Sequence, residues 1–237
     1  LGMAYTWNAR PAEAERLHRE ALDIHVRSLG MDHPTTLYSM NFLGSALSGQ
    51  GRFDDAERQF REGGEIAQRI LGPHHLVTLS FLANRAAALR QQGKLADAEP
   101  LLREVFDTSR LVLGETHSTT LGMAAALGEA LTAMNRFDEA ESVVRPALET
   151  ARQTYGPAHH DTSQTLLSAL AKLSEARGDD AAAAALHREL FDIRRQALGL
   201  EHPHTRETGD RLMQILRRQG NAAAAEALEL ELSAAGA

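Results

Sequence analysis

The chain has 237 residues, with 25 Lys and Arg against 32 Asp and Glu, a formal net charge of −7 and no Cys. This acidic balance argues against a nucleic acid partner, because phosphate backbones are bound by clustered Lys and Arg. No apolar run approaches the roughly 18–20 residues that cross a bilayer, and the lack of Cys excludes disulfides and thiolate metal sites. We therefore predict a cytoplasmic protein that binds neither nucleic acid nor a membrane.

A skeleton of 42 residues recurs along the chain. It is clearest in Arg52–Leu79, and it returns in segments that begin at Arg10, Lys94 and Arg136. A glycine closes each unit, at Gly30, Gly72, Gly114, Gly156 and Gly199. Such a fixed period is typical of an array of stacked repeats.

Each unit contains two helical patterns. Apolar residues recur at steps of three and four along Pro34–Gly49, which is the spacing of one helix face. A short break at Gln50–Gly51 precedes a second pattern of about 18 residues, so the two helices are predicted to be antiparallel neighbours. We place Asp54, and Asp179 in a later unit, at the start of the second helix as capping carboxylates, and Gly72 at its left-handed end.

Small side chains return at fixed positions of both helices. In the second helix of each unit the position holds Ala14, Ala56, Ala98, Ala140, Ala183 and Ala225. In the first helix it holds Gly2, Gly44, Ala86, Gly128 and Ala171, and then Met213. Small residues let helix axes approach toward the short end of the usual 8–10 Å range, so these positions are the predicted contacts of the stack.

A few residues depart from the repeat. Gly63 and Gly64 lie inside a helix, where each costs ~1 kcal/mol relative to Ala, and they predict a bent or soft segment. Pro146 falls inside another second helix and predicts a kink. Arg85 stands where other units have Leu, and both snorkelling to solvent and a role as a groove cation are open.

The unit resembles the tetratricopeptide repeat, on a pattern that runs Leu1-Gly2-x-x-Tyr5, Ala14, Ala21 and returns as Leu43-Gly44-x-x-Leu47, Ala56, Gly63. The long second helix and the closing LG-x-x-HP-x-T-L are similar to the 42-residue variety of kinesin light chains. Bacterial proteins carry similar arrays, and the Ala- and Arg-rich composition favours a bacterial source. The resemblance implies an all-α fold, a right-handed superhelical solenoid of antiparallel helix pairs.

The resemblance covers essentially the whole chain, which we interpret as a single tetratricopeptide repeat domain, residues 1–237. Its predicted parts are a truncated repeat at 1–30, repeats at 31–72, 73–114, 115–156 and 157–199, and a last repeat at 200–237. Because Leu1 already lies inside a first helix, we expect a fragment of a longer protein. The incomplete first repeat, and Leu228 and Leu232 of the last helix, are expected to expose apolar stripes and give weak end-to-end self-association.

No set of polar residues converges in the way that catalysis requires, so we predict no enzyme activity and no cofactor. One histidine recurs in the turn before each first helix: His33, His75, His117, His159 and His202. Successive copies are expected ~10 Å or more apart, whereas zinc needs ligands ~2 Å from one centre, so we predict no metal site and assign this row to hydrogen bonding at the helix starts. His18 and His187 share the position of Phe60 and are predicted to be partly buried by packing.

The resemblance implies that the first helices line a concave groove that binds a peptide. By matching positions, the predicted groove residues are Tyr38, Asn41, Ser45, Ser48, Ala83, Asn84, Ala87, Arg90, Gln91, Glu129, Thr132, Ser168, Lys172, Gln214 and Arg217. Kinesin light chains carry an Asn-rich first helix, of which only Asn41 and Asn84 remain in this sequence. The groove is mixed in charge and small in the middle, which favours a ligand with both charge signs or an amphipathic helix.

Two functions are consistent with this groove. The first is a protein–protein interaction scaffold that docks a peptide or helix of a partner protein. The second is the sensor or regulatory arm of a multidomain bacterial signalling protein, an ATPase or kinase, with its catalytic part upstream. A nucleotide-binding or kinase motif upstream of Leu1 would favour the second function. The remaining alternative is that the face lined by the first helices binds no partner and only contacts solvent.

Overall fold

A computed structural model describes residues 11–156 and 160–234, and every regular element within these ranges is an α-helix. The helices are α1 (Pro11–Leu29), α2 (Pro34–Gly49), α3 (Phe53–Leu71), α4 (Leu76–Gln91), α5 (Leu95–Leu113), α6 (Ser118–Ala133), α7 (Phe137–Tyr155), α8 (His160–Arg177), α9 (Asp180–Leu198), α10 (Pro203–Arg218) and α11 (Ala222–Ala234). The all-α class is confirmed. The features predicted at Leu1, Gly2, Tyr5 and His159 lie outside the described residues.

The chain divides into two compact units, Leu1–Val112 and Leu113–Ala237. In the first unit α2 packs against both α1 and α3, and it also contacts α4, the next first helix. In the second unit α6 packs against α7 and α8 in the same manner, and α10 packs between α9 and α11. Each unit therefore stacks its first helices beside one another, which is the local geometry of a repeat array.

The turns that close the individual repeats lie at the predicted glycine positions. Gly72 ends α3 at φ +90°, and its N–H donates to the carbonyl of Gln68. A side chain is strained at such a φ, which explains why glycine returns at this position. The remaining four copies have φ between +84° and +89°: Gly30, Gly114, Gly156 and Gly199.

The recurrent histidines cap the first helices. The Nδ1 atom of His33 accepts a hydrogen bond from the backbone N–H of Thr35 at 3.2 Å. The same bond, at 3.1–3.3 Å, is made by three further copies: His75, His117 and His202. An N-cap acceptor satisfies one of the free N–H groups of the first turn, so the predicted hydrogen-bonding role is confirmed at these four positions.

The predicted carboxylate caps of the second helices are correct in one case and wrong in the other. Asp179 is the N-cap of α9 and accepts from the N–H of Ala182 at 3.0 Å. Asp54 is not a cap, because α3 begins at Phe53 and its N-cap is Arg52, which makes no side-chain capping bond. Asp54 lies in the first turn instead, where its carboxylate still interacts favourably with the positive end of the helix dipole.

The small residues of the predicted stacking positions are buried. Ala14, Ala56, Ala98, Ala140 and Ala183 have no exposed surface, and Ala225 has 1%. In the first helices, a Cβ added at Gly44 would come within 2.5 Å of the Phe60 ring, and one at Gly128 within 2.1 Å of Val144. A side chain at either glycine would therefore displace a neighbour in the core.

Replacing Ala140 by tryptophan is expected to lower the free energy of unfolding by ~1–3 kcal/mol, because the added ring overpacks a closed helix contact. Ser142→Trp is the matched control, since Ser142 lies on the exposed side of the same helix and takes the same ring. Urea unfolding of both variants measures the difference. Equal losses would show that Ala140 is not a close contact.

Gly63 and Gly64, where the sequence predicts a bent or soft segment, lie inside a continuous helix. Helix α3 runs unbroken from Phe53 to Leu71. The two glycines make room for the fully buried Phe81 of α4, since a Cβ at Gly63 would lie 2.3 Å from its ring and one at Gly64 would lie 3.3 Å from its Cβ. Helix α7 also continues through Pro146, and the kink predicted there stays a prediction.

The expected exposure of Leu228 and Leu232 is wrong. Both side chains of α11 are buried, with 2% and 6% exposed, and they pack in a core cluster with Phe191 and Leu212. The exposed leucine of α11 is Leu230, at 72%. The helix turns its apolar side inward, because Leu228 and Leu232 are four residues apart whereas Leu230 lies between them on the other side.

No helix within the described ranges combines the length and the apolar character that crossing a membrane requires.

Candidate functional site

In the first unit the predicted groove residues lie on the neighbouring helices α2 and α4. Tyr38, Asn41, Ser45 and Ser48 are three or four residues apart on α2 and share one side of it. The α4 residues are Ala83, Asn84, Ala87, Arg90 and Gln91. We call this surface the first-unit face.

A chain of side-chain hydrogen bonds joins the two helices across the first-unit face. Asn84 Nδ2 donates to Asn41 Oδ1 at 2.7 Å, and Asn41 Nδ2 donates to Ser80 Oγ at 3.1 Å. The hydroxyl of Ser45 donates to the backbone carbonyl of Asn41 at 3.1 Å. An amide side chain carries two donor hydrogens and two acceptor lone pairs, so both Asn residues keep hydrogen-bonding capacity beyond these contacts.

The remaining side chains of the first-unit face differ in exposure. Tyr38 is 52% exposed, which is unusual for an aromatic ring and makes it available for contact. Ala87 and Gln91 are exposed, whereas Ser48, Ala83 and Arg90 are half-buried. The face thus combines an exposed ring, small side chains and polar amides.

Arg85, at the edge of this face, forms an ion pair. Its Nε donates to Glu57 Oε1 of α3 at 2.7 Å, and the side chains are 30% and 18% exposed. The structure therefore shows a third role beside the two that the sequence left open. At this position, where other repeats have a core leucine, Arg85 is accommodated because it pairs with the carboxylate of Glu57 on α3.

In the second unit the predicted groove residues lie on α6, α8 and α10. Lys172 Nζ of α8 donates to Glu129 Oε1 of α6 at 2.7 Å, which links neighbouring first helices as the Asn pair does in the first unit. Thr132 is 9% exposed, and its hydroxyl donates to the carbonyl of Gly128 in its own helix at 2.8 Å. Thr132 therefore belongs to the interior of the unit.

Three of the predicted residues, Ser168, Lys172 and Gln214, line a cavity of about 780 Å³, which we call the second-unit cavity. Its wall is formed by α8, α9 and α10. The other lining residues are Glu175, His187, Leu190, Arg194, Pro203, His204, Arg206, Glu207, Thr208, Asp210 and Arg211. This cavity is of the size of a small-ligand or side-chain pocket.

A buried carboxylate lies in the wall of the second-unit cavity. Glu175 Oε1 accepts from His187 Nε2 at 2.7 Å, and its Oε2 lies 2.5 Å from Arg211 Nη2. Burial raises the pKa of Glu175, but the hydrogen bonds from Arg211 and His187 outweigh burial and hold the pKa below its usual range. Burial lowers the pKa of His187 more than Glu175 raises it. The resting state is therefore a carboxylate beside a neutral imidazole that donates through Nε2.

Arg217, the last predicted groove residue, points to a neighbouring second helix. Its Nη2 donates to Glu229 Oε2 of α11 at 2.7 Å, with both side chains about half exposed. The adjacent Arg218 pairs with Asp180 at 2.6 Å. These contacts hold α10 against α11 and α9, so both guanidinium groups already have carboxylate partners.

Sequence reasoning did not single out Arg194, Thr208 or the Glu175–His187 pair as parts of a site. The sequence did contain an indication of the pair at His187, because a polar ring at the position of the buried Phe60 needs a hydrogen-bond partner in the interior. As predicted, His18 and His187 are buried, at 7% and 6% exposed. Across residues 11–156 and 160–234, no cluster of three or more His, Cys, Asp or Glu side chains is arranged to hold a metal ion.

Comparison with protein-family models matches the tetratricopeptide repeat at residues 1–63 and 78–145, more than half of the chain. The chain belongs to the tetratricopeptide repeat family. A second tetratricopeptide repeat model matches residues 164–204. The tetratricopeptide repeat fold is that of a protein–protein interaction scaffold, and proteins of the family are typically not catalytic. A comparison with curated proteins found no significant match.

Solved structures match between 83% and 99% of the chain. A Podosopora anserina protein described as a kinesin light chain with nearly identical TPR-like repeats is 22% identical, with TM-score 0.74 over 83% of this chain and 92% of that one. BtubC (BKLC) from P. vanneervenii is 19% identical, with TM-score 0.74 over 94% and 88%. A Rap protein complexed with Competence and Sporulation Factor is 11% identical, with TM-score 0.66 over 99% and 61%. At these identities the likeness concerns the fold, which is of the kinesin-light-chain type.

Proposed function

We propose that the protein docks a peptide segment or a helix of a partner protein on the surfaces formed by its first helices. The observation that carries the proposal is the hydrogen-bonded chain of Asn84, Asn41 and Ser80 on the first-unit face. Polar amides on a helix surface need no such order for folding, since water satisfies them equally well. Their fixed orientation prepares donors and acceptors for the backbone of a bound peptide.

The surroundings of the Asn pair fit a peptide ligand. The small side chains of Ala83 and Ala87 leave room beside the amides, and the exposed ring of Tyr38 offers an apolar contact. Aromatic residues at the centre of a contact surface often contribute most of the binding energy. A peptide with an apolar anchor and an accessible backbone would satisfy both features.

The proposal is tested once a partner has been captured by pull-down and identified by mass spectrometry. Asn41→Ala is expected to weaken its binding about tenfold, because the backbone contact and the orientation of Asn84 are lost together, which corresponds to about 1.4 kcal/mol. Arg90→Glu on the same face should weaken it further when the ligand is acidic. Titration calorimetry measures both effects.

Arg61→Glu and Arg103→Glu are the controls for this test. Both change the charge of second helices, on α3 and α5, which carry none of the residues of the first-unit face. They are expected to leave the affinity within twofold of the unmodified protein. Loss of binding in these variants, with Asn41→Ala unaffected, would place the ligand on the second helices and contradict the proposal.

A second candidate is the regulatory arm of a larger signalling protein. The observation that favours it is the match to the Rap protein complexed with Competence and Sporulation Factor, and to Aspartyl phosphate phosphatase F from Bacillus subtilis. This chain spans about three fifths of each of those two chains. Finding an ATPase or kinase motif in the coding sequence upstream of Leu1 would favour this candidate.

A further inference from the structure

Arg194 is a long basic side chain at a position where the three preceding repeats have small residues. The equivalent residues of the three preceding repeats are Ala67, Ser109 and Ala151, and each of them is fully buried. At the opposing position of the next first helix, Thr208 replaces Phe81, Met123 and Leu166. In α3 and α4, and again in α7 and α8, these two positions hold small and apolar residues. In α1 and α2 they hold His25 and Ser39, which bond to each other at 2.7 Å. In α9 and α10 they hold a half-buried cation and a hydroxyl.

The contacts of Arg194 use only one edge of its guanidinium group. Nη1 donates to the hydroxyl of Thr208 at 2.6 Å and to the carbonyl of His204 at 3.2 Å. Within the part of the chain that the structure describes, neither Nε nor Nη2 donates to a protein atom, and neither atom is sealed from solvent. The Nε–Nη2 edge carries parallel N–H groups that match the two oxygens of a carboxylate.

The other cations of the second-unit cavity already have acidic partners. Lys172 pairs with Glu129, Arg206 with Glu201, and Arg211 with Glu175. No carboxylate oxygen of the described residues lies within 4 Å of Arg194. Burial lowers the pKa of Arg194, with Glu207 opposing it at longer range, which indicates a partly desolvated cation without a close counterion.

We propose that the Nε–Nη2 edge of Arg194 in the second-unit cavity binds a single carboxylate of a peptide ligand. This inference rests on the proposed function and names the chemistry of the contact that the second unit offers to a peptide. Glu175, Glu207 and Asp210 also line the cavity, and their charges oppose a dianion more strongly than a monoanion. The cavity therefore fits the carboxylate of an acidic side chain or of a peptide C-terminus, and it disfavours a phosphate.

The test uses four pools of random decapeptides, which differ only in the acidic group. Three pools have blocked ends and carry Glu, Gln or phosphoserine at the centre, and the fourth carries central Gln with a free C-terminal carboxylate. Fluorescence anisotropy at moderate salt is expected to give about tenfold tighter binding for a carboxylate pool than for the blocked Gln pool. The preferred carboxylate pool identifies whether the group comes from a side chain or a C-terminus.

Arg194→Ala restores the residue that Ala67 and Ala151 provide in other repeats. It is expected to abolish the carboxylate preference while the unfolding midpoint stays equal to, or above, that of the unmodified protein. Arg195→Gln is the matched control, because it removes the neighbouring cation of the same helix, which pairs with Glu231 and does not line the cavity. The control should keep the tenfold preference.

The outcomes separate this inference from the proposed function. Equal binding of the carboxylate and Gln pools, with Asn41→Ala still weakening both, would overturn the carboxylate site and leave the peptide-binding face in place. Absence of binding by every pool would contradict both proposals. Tightest binding of the phosphoserine pool, or a loss of stability in Arg194→Ala without a change in preference, would also overturn the carboxylate site.

Discussion

Gly63→Ala is expected to destabilise the first unit, although alanine is the better helix former. The substitution gains ~1 kcal/mol of helix propensity in α3. Its Cβ would lie 2.3 Å from the ring of Phe81, which is fully buried and has no space to move. Overpacking of a closed core typically costs ~1–3 kcal/mol, so the net change in the free energy of unfolding is a loss of up to about 2 kcal/mol.

The sign of this effect should reverse when the ring is removed. Phe81→Ala alone is expected to cost about 3–5 kcal/mol, because it leaves a cavity in the core. In that background Gly63→Ala should stabilise the protein, since its methyl group fills part of the cavity and the propensity gain is retained. Chemical unfolding of the four proteins of this double-mutant cycle measures the coupling.

Gly122→Ala is the matched control for the Gly63 experiment. Gly122 also lies inside a helix, α6, but a Cβ at this position meets no atom within 4 Å. This variant is expected to gain stability, by up to ~1 kcal/mol. Destabilisation by Gly122→Ala, or stabilisation by Gly63→Ala in the unmodified core, would contradict the packing interpretation.

The bounds of the helices could be predicted from the sequence because periodicity and glycine turns are local signals. The pattern at Pro34–Gly49 gave α2 with the same bounds, and the position of Gly72 gave the end of α3. The reason for Gly63 could not be found in this way. Its counterpart, Phe81, lies on the next helix at a different position of the repeat, so comparison of equivalent positions never brings the two residues together.

The candidate site shows the same limit. The repeat register predicted that Asn41 and Asn84 share a surface, and their hydrogen bond shows that they meet. The register could not reveal that Lys172 and Arg217 are already paired with Glu129 and Glu229, because such pairs depend on which neighbour each long side chain reaches. Arg194 was overlooked because the equivalent residues of the three preceding repeats are small and buried.

Glu175→Ala is expected to lower the free energy of unfolding of the second unit by about 3 kcal/mol. The side chain is 8% exposed, accepts a hydrogen bond from His187 and forms an ion pair with Arg211, and removal of one partner of a buried charged pair typically costs 3–5 kcal/mol. The lower end applies because Arg211 is half exposed and can be hydrated, whereas His187 remains buried without an acceptor. Urea unfolding measures the loss.

A second substitution should recover much of this stability. Phenylalanine occupies the position of His187 in the first unit, at Phe60, and is accommodated there in the core. The double variant Glu175→Ala/His187→Phe is therefore expected to be more stable than Glu175→Ala alone, because the buried imidazole that loses its acceptor is removed as well. If the double variant is no more stable than the single one, the pair is not coupled as the structure indicates.

Acidification below pH 6.5 is expected to destabilise the second unit through His187. Burial keeps the pKa of His187 below its ordinary value of 6.5 in the folded state, so the unfolded chain binds the proton first and stability falls as the pH drops through this range. One proton sets a limit of ~1.4 kcal/mol per pH unit. The variant His187→Phe should lack this component, and the difference between the unfolding profiles of the two proteins from pH 7.5 to 5.5 isolates it, because every other side chain is the same in both. Parallel profiles would show that His187 is not held neutral in the fold.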